Sequence, residues 1–110
     1  MSAMQRRKGA RIEREIVALH IAAGVHAEKV PLSGAVRYRG NGADVDVYPF
    51  GRDAAPLCCE VKARKNGEGF AMLERWLGIN DVLFLRRNNA EPLIVLPWAT
   101  WHRLLQKAPR

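Results

Sequence analysis

Two short segments, "DVDVY" at residues 44–48 and "LCCEVKA" at 57–63, alternate in polarity and are joined by the turn-forming "PFGRDAAP". Alternation of this kind predicts two neighbouring antiparallel strands over 44–49 and 57–63. Side chains on a strand point to opposite faces in turn, so Cys59, Val61 and Ala63 share one face while Cys58, Glu60, Lys62 and Arg64 share the other. One face is apolar and the other is chemical. The pairing also brings the carboxylates of the first strand, Asp44 and Asp46, towards Glu60 of the second. A solvent-facing pair of charges at a sheet edge is the plain alternative for Glu60 and Lys62, and the rest of the chain has to decide between them.

The flanking segments supply the frame. In "GARIEREIVALHIAAG", Ile12, Ile16, Leu19 and Ala23 recur at helical spacing and Gly24 supplies a stop, which predicts a first helix after a basic lead. A short apolar stretch at Val25 and Val30 follows. The loop "PLSGAVRYRGNGA" after it is too long and too basic for a mere connector. "NGEGFAMLERWLGIN" predicts a second helix with Phe70, Leu73 and Leu77 on one stripe and Gly78 at its end. "DVLFLRR", "NNAEP" and "LIVLP" predict a second hairpin of largely buried strands. "WATWHRLLQK" predicts a third helix after Pro97 that turns Trp98, Trp101 and Leu105 inward. The order is helix, three strands, helix, two strands, helix.

At 110 residues the chain is expected to form a single domain, with residues 1–7 and 107–110 as flexible ends. Eighteen Lys and Arg against eleven Asp and Glu leave a formal charge of +7, which favours a polyanionic partner. There is no run of apolar residues long enough for a spanning helix and no signal-peptide pattern, so a cytoplasmic protein is expected. Cys58 and Cys59 are adjacent, face opposite ways on a strand and are expected to be packing residues. His20, His26 and His102 have no spacing that suggests a metal site or a triad.

Three acids stand beside apolar positions: Glu13 flanks the buried stripe of the first helix, Asp44 opens its strand, and Glu60 lies mid-strand with Lys62 beside it. Carboxylates without softer ligands suit a hard cation such as Mg²⁺, which takes one or two of them together with waters and phosphate oxygens. Such an ion polarises a phosphate and acidifies a bound water. A lysine two residues from a ligand is placed to balance charge on that phosphate.

These residues carry a family resemblance. "GAD…EVK", with Asp44 and Glu60-Val61-Lys62, resembles the D…(D/E)xK signature of the PD-(D/E)xK nuclease superfamily. "KGARIEREIV" at 8–17 resembles the first helix of archaeal-type Holliday-junction resolvases and their phage and bacterial relatives, and "SGA" at 33–35 resembles a loop of that family in which a serine lies near the DNA backbone. The resemblance runs from about residue 8 to about residue 105. It implies an α/β restriction-endonuclease-like core, a small mixed central β-sheet flanked by helices. It further implies a Mg²⁺-dependent endodeoxyribonuclease, with Mn²⁺ able to substitute, that cuts four-way junctions in DNA recombination and repair as a homodimer. Glu13, Asp44, Glu60 and Lys62 would be the catalytic residues, and Glu13, Asp44, Glu60 and the Val61 carbonyl the metal ligands.

Alanine at position 43 departs from the proline of the motif, and Asp46, on the same face as Asp44, is the alternative acid. Arg6, Arg7, Lys8, Arg11, Arg37, Arg39, Arg64 and Lys65 are candidate DNA contacts, because cations beside an acidic site hold a polyanion against it, and the resemblance implies Ser33 as a further one. Phe70, Trp76, Phe84 and the last helix offer apolar surface for a dimer. Two rivals remain at this point: a superfamily nuclease acting on flaps, ends or specific duplex sites, and a non-catalytic basic DNA-binding module.

Overall fold

The structure, a computed structural model, describes residues 3–33, 36–37, 44–67 and 69–110, and only the backbone for 3–8, 32–33 and 36–37. The elements are α1 (Ala3–Ala22), β1 (His26–Lys29), β2 (Leu32–Ser33), β3 (Val36–Arg37), β4 (Val45–Tyr48), β5 (Leu57–Cys59), α2 (Ala71–Leu77), β6 (Leu83–Leu85), β7 (Leu93–Val95) and α3 (Trp98–Lys107). This is an α/β chain with three helices and small antiparallel sheets. It gathers into two compact units, Met1–Ala63 with Ala108–Arg110, and Arg64–Lys107.

In the first unit the expected strand pair forms: β4 and β5 are antiparallel, with Val45 opposite Cys59, Asp46 opposite Cys58 and Val47 opposite Leu57. β1 pairs with the other edge of β4, so the sheet order is β1-β4-β5. Helix α1 lies against β1 and β4. It begins at Ala3, so residues 3–7, expected as part of a flexible lead, form its first turns. Its end is the one the glycine marks. Gly24 adopts φ +84°, where side chains are strained, and lets the Val25 N–H reach back to the His20 carbonyl at 2.9 Å. The chain then enters β1. The core is aliphatic and centred on β4, with Val45 and Val47 fully buried beside Val25 and Ala27.

His20 is also buried, and its Nδ1 lies 2.7 Å from the Ile16 carbonyl. A carbonyl only accepts, so Nδ1 carries the proton and the histidine is a satisfied core residue. The basic loop after β1 is not wholly irregular, because β2 and β3 form a two-residue antiparallel ladder within it.

In the second unit Gly78 ends α2 with φ +55°, its N–H donating to the Glu74 carbonyl at 2.9 Å. Pro97 starts α3, where its carbonyl accepts from the Thr100 and Trp101 N–H groups. Thr100 Oγ1 donates to the Asp81 carbonyl at 2.8 Å, which ties α3 to the segment entering β6. Leu105 is buried as expected.

Two expectations are corrected here. The second hairpin forms, but it is not largely buried: Phe84 is 66% exposed, Leu93 68% and Ile94 59%. A short apolar run reads as buried on both faces, yet a two-stranded ladder of three residues per strand has no neighbour to cover both. The expected mixed central sheet is also absent from the described residues, where every pairing is antiparallel and β1-β4-β5, β2-β3 and β6-β7 are separate ladders. No helix among the described residues is long and apolar enough to cross a membrane.

Val45→Ala opens a gap in the most enclosed strand and is expected to lower stability by about 2 kcal/mol, whereas Phe84→Ala should change it by less than about 0.5 kcal/mol. Urea midpoints of the two variants measure the contrast; equal losses would mean that the hairpin face is covered.

Candidate active site

The register of the three-stranded sheet assembles the polar residues into rows. Glu28, Asp46 and Cys58 lie side by side across β1, β4 and β5, and His26 lies opposite Tyr48 in the next row. The β4–β5 ladder ends at Val45 and Cys59, and at Asp44 the regular pattern changes: its carbonyl accepts from the Val30 N–H beside β1 while its own N–H turns to β5. The hydrogen bonds there bracket Glu60. The Asp44 N–H donates to the Cys59 carbonyl at 2.9 Å, and Asp44 Oδ2 accepts from the Val61 N–H at 2.8 Å. Asp44 is thereby bonded to the main chain on both sides of Glu60.

β5 itself stops at Cys59, but the alternation outlasts the ladder. Glu60, Lys62 and Arg64 are exposed while Val61 and Ala63 are half-buried. The Asp44 carboxylate takes over from the backbone here, and a charge-assisted bond of this length is about twice as strong as a neutral one. Asp44 is therefore anchored, at 7% exposure, while Glu60 reaches outwards. Glu60 Oε1 lies 3.3 Å from Lys62 Nζ with both side chains more than half exposed. An ion pair so open to water is worth about 0–1 kcal/mol, so both groups can be recruited by a phosphate or a cation at little cost.

The two aspartates differ in their neighbours. Asp46 is buried at 2% and stands between Glu28 and Cys58, one row away from Glu60. Asp44 alone bonds to the main chain beside Glu60. The same face holds Glu28 and Tyr48, which the sequence did not single out, and His26, which its spacing had set aside. Tyr48 Oη donates to Glu28 Oε1 at 3.0 Å, His26 Nε2 lies 3.4 Å from Glu28 Oε2, and the His26 and Tyr48 rings are 5.1 Å apart. The signal was present as the alternation of His26, Glu28 and Val30 in "HAEKV", which an eye set on Val25 and Val30 reads as apolar.

The structure does not bring Glu13 to this row. Glu13 Oε1 lies 3.6 Å from Lys29 Nζ, and Lys29 pairs in register with Val45, whose side chain alternates away from Asp44. Arg11 lies 3.6 Å from Glu15 on the surface of α1, and Arg64 and Lys65 are exposed residues of the second unit. Arg39 lies outside the described residues, as do the side chains of Arg6, Arg7, Lys8, Ser33 and Arg37.

Among the described residues no three His, Cys, Asp or Glu side chains gather as a metal-binding group. A carboxylate anchored to the Glu60 segment and the exposed carboxylate of Glu60 itself are nevertheless the donor type that suits Mg²⁺, which fills the rest of its shell with water and phosphate oxygens. Asp44 and Glu60 are the residues that would hold it.

The cysteines are also sorted by parity. Cys58 is exposed on the acidic face. Cys59 is partly enclosed on the other, its Sγ 3.5 Å from the Leu57 carbonyl. Burial pushes the Cys59 thiol above its ordinary value, and Cys58 beside it adds to the rise. The expectation of two packing residues therefore holds only in part, for Cys59. No protein-family model matches the chain, and no curated protein or solved structure matches it significantly.

Asp44→Ala leaves the Val61 N–H without its acceptor and is expected to cost about 1–3 kcal/mol. The Val61 amide should then exchange with solvent at least about tenfold faster, which hydrogen-exchange NMR reads directly; unchanged exchange would break the link between Asp44 and the Glu60 segment.

The raised Cys59 thiol holds its proton to higher pH, so at neutral pH less of it is the reactive thiolate than in an ordinary thiol. Iodoacetamide should therefore label Cys58 first, with Cys59 catching up only as the pH rises. Peptide mapping after timed labelling at two pH values gives the order, and equal rates near neutrality would contradict it.

Proposed function

We propose that this chain is a metal-dependent DNA endonuclease of the PD-(D/E)xK kind, with branched DNA as its substrate. The observation that carries the reading is the bond from the Val61 N–H to the Asp44 carboxylate, which ties Asp44 to the segment that carries Glu60 and Lys62. The order of one helix, antiparallel strands and a second helix supports a restriction-endonuclease-like core. The net charge of +7 supports a nucleic-acid substrate.

In this reading the reaction is hydrolysis of a backbone phosphodiester, in which a P–O bond to the water oxygen replaces a P–O bond of the chain. A bound Mg²⁺ would supply charge neutralisation at the phosphate and a more acidic water. Asp44, held by the Val61 N–H, fixes one side of the site. Glu60 is mobile enough to complete it. Lys62, released from its exposed contact with Glu60, places an ammonium group at the non-bridging phosphate oxygens. Asp46 would act through the charge of the face, one row away. A homodimer would provide the two cuts in two-fold related strands that a four-way junction requires.

The Glu13–Lys29 pair favours a second reading, a basic DNA-binding module without catalysis, because it employs the third expected ligand elsewhere. One assay distinguishes the readings. Four-way junction, flap and linear duplex are each incubated with the protein and Mg²⁺, or with chelator. The nuclease reading expects Mg²⁺-dependent cutting that Glu60→Gln and Asp44→Asn abolish while DNA binding persists, with Asp46→Asn milder. Binding without cutting under every metal condition would leave the module. Cutting of linear duplex as fast as junction would remove the preference for branched DNA.

A further inference from the structure

The turn that joins β6 to β7 reads Arg86-Arg87-Asn88-Asn89, and all four residues are exposed. Its shape is defined. The Ala90 N–H donates to the Arg87 carbonyl at 3.3 Å, and Asn89 adopts φ +61°, a left-handed conformation that asparagine tolerates better than most side chains. Four exposed cations elsewhere pair with acids, Arg11 with Glu15, Lys29 with Glu13, Lys62 with Glu60, and Arg103 with Asp81, while others such as Arg14, Arg52 and Arg75 stand as Arg86 and Arg87 do. At the turn, Glu91 is only a few residues away, yet neither guanidinium has a carboxylate partner among the described residues. Two adjacent arginines are thus held on a fixed turn with their charge uncompensated.

The flank of the hairpin adds shape. Phe84 and Ile94 are cross-strand partners with exposed side chains, and the alternation carries that face on to Arg86. A two-stranded ribbon of this kind is narrow enough to enter the major groove of a duplex. A tip that inserts into lipid would carry its apolar residues at the apex, whereas here the apex is the two amides of Asn88 and Asn89, flanked by Arg86 and Arg87 on one side and by Glu91 on the other. A second copy of the chain would need roughly 800 Å² on each side, far more than Phe84 and Ile94 supply.

We propose that the tip of the β6–β7 hairpin is a second nucleic-acid contact, in which Arg86 and Arg87 hold backbone phosphates of a duplex arm and Asn88 and Asn89 meet the adjoining groove edge. The proposal rests on the reading of the chain as a DNA enzyme and adds a contact in the unit that does not carry the acidic row. It also gives an exposed apolar pair a task, since Phe84 and Ile94 would lie against the sugars as the ribbon approaches.

The test is fluorescence anisotropy of the full chain with a labelled four-way junction, in chelator, over a range of salt. Each phosphate contact contributes a slope of about 0.9 in log K against log salt, so Arg86→Ala with Arg87→Ala should flatten the slope by about 1.8. Affinity near 0.1 M salt should fall roughly ten- to hundredfold. The Arg86→Lys, Arg87→Lys double variant keeps the charge and should keep most of the slope. If the double alanine variant lost its circular dichroism signal, each single variant should still flatten the slope by about 0.9. A wild-type chain that binds with a steep slope beside an equally steep double alanine variant would overturn the hairpin contact and leave the nuclease reading standing. No binding by the wild-type chain would overturn both. Loss of affinity for anionic phosphatidylserine vesicles, with DNA binding intact, would also overturn the contact by assigning the tip to a membrane.

Discussion

Strand β4 is enclosed on both faces, and the first unit is organised around that enclosure. Val45 and Val47 are removed from water on one side, Asp44 and Asp46 on the other. Burying aliphatic side chains is favourable, but withdrawing two carboxylates from water costs several kcal/mol unless donors replace the lost hydration. For Asp44 one donor is the Val61 N–H. That bond closes the gap left where β5 ends and fixes the segment carrying Glu60 and Lys62. The same contact that settles a buried charge thereby sets the geometry of the chemical face.

The remaining charges fall into two groups with different consequences. Exposed pairs such as Lys62 with Glu60 contribute little to folding and are free to exchange partners. Cations without nearby acids, as at the tip of the second hairpin, leave a field that a polyanion can satisfy. A chain with an excess of seven positive charges and a face of carboxylates has to keep those tendencies apart, since phosphates approach the first and are repelled by the second unless a cation intervenes.

Local chemistry was the legible part of the sequence. The β4–β5 pair followed from period-two alternation around a turn, α2 ended where Gly78 allows a left-handed residue, and α3 started where Pro97 caps it. The alternation even predicted the exposure of Glu60 and Lys62 beyond the end of the ladder. Tertiary coverage was not legible. The apolar strings "DVLFL" and "LIVLP" contain nothing that distinguishes a strand with neighbours from one without, so Phe84 and Ile94 were expected inside. Glu13 has the helical position of a site residue, but whether it meets Asp44 or Lys29 depends on how α1 crosses the sheet. His26, Glu28 and Tyr48 became a group only once β1 had a register against β4.

The repeat within β4 has one more consequence. Asp-Val-Asp-Val is identical to itself after a shift of two residues, so a slide of β4 by two along β5 would put valine again where valine stood and would bring Asp46 to the place of Asp44. Hydrophobic burial alone makes these two alignments degenerate. What distinguishes them lies at the strand's ends: the bond from Val61 to Asp44, and Tyr48 donating to Glu28. The alignment of β4 is thus selected by polar contacts at its margins, not by the core.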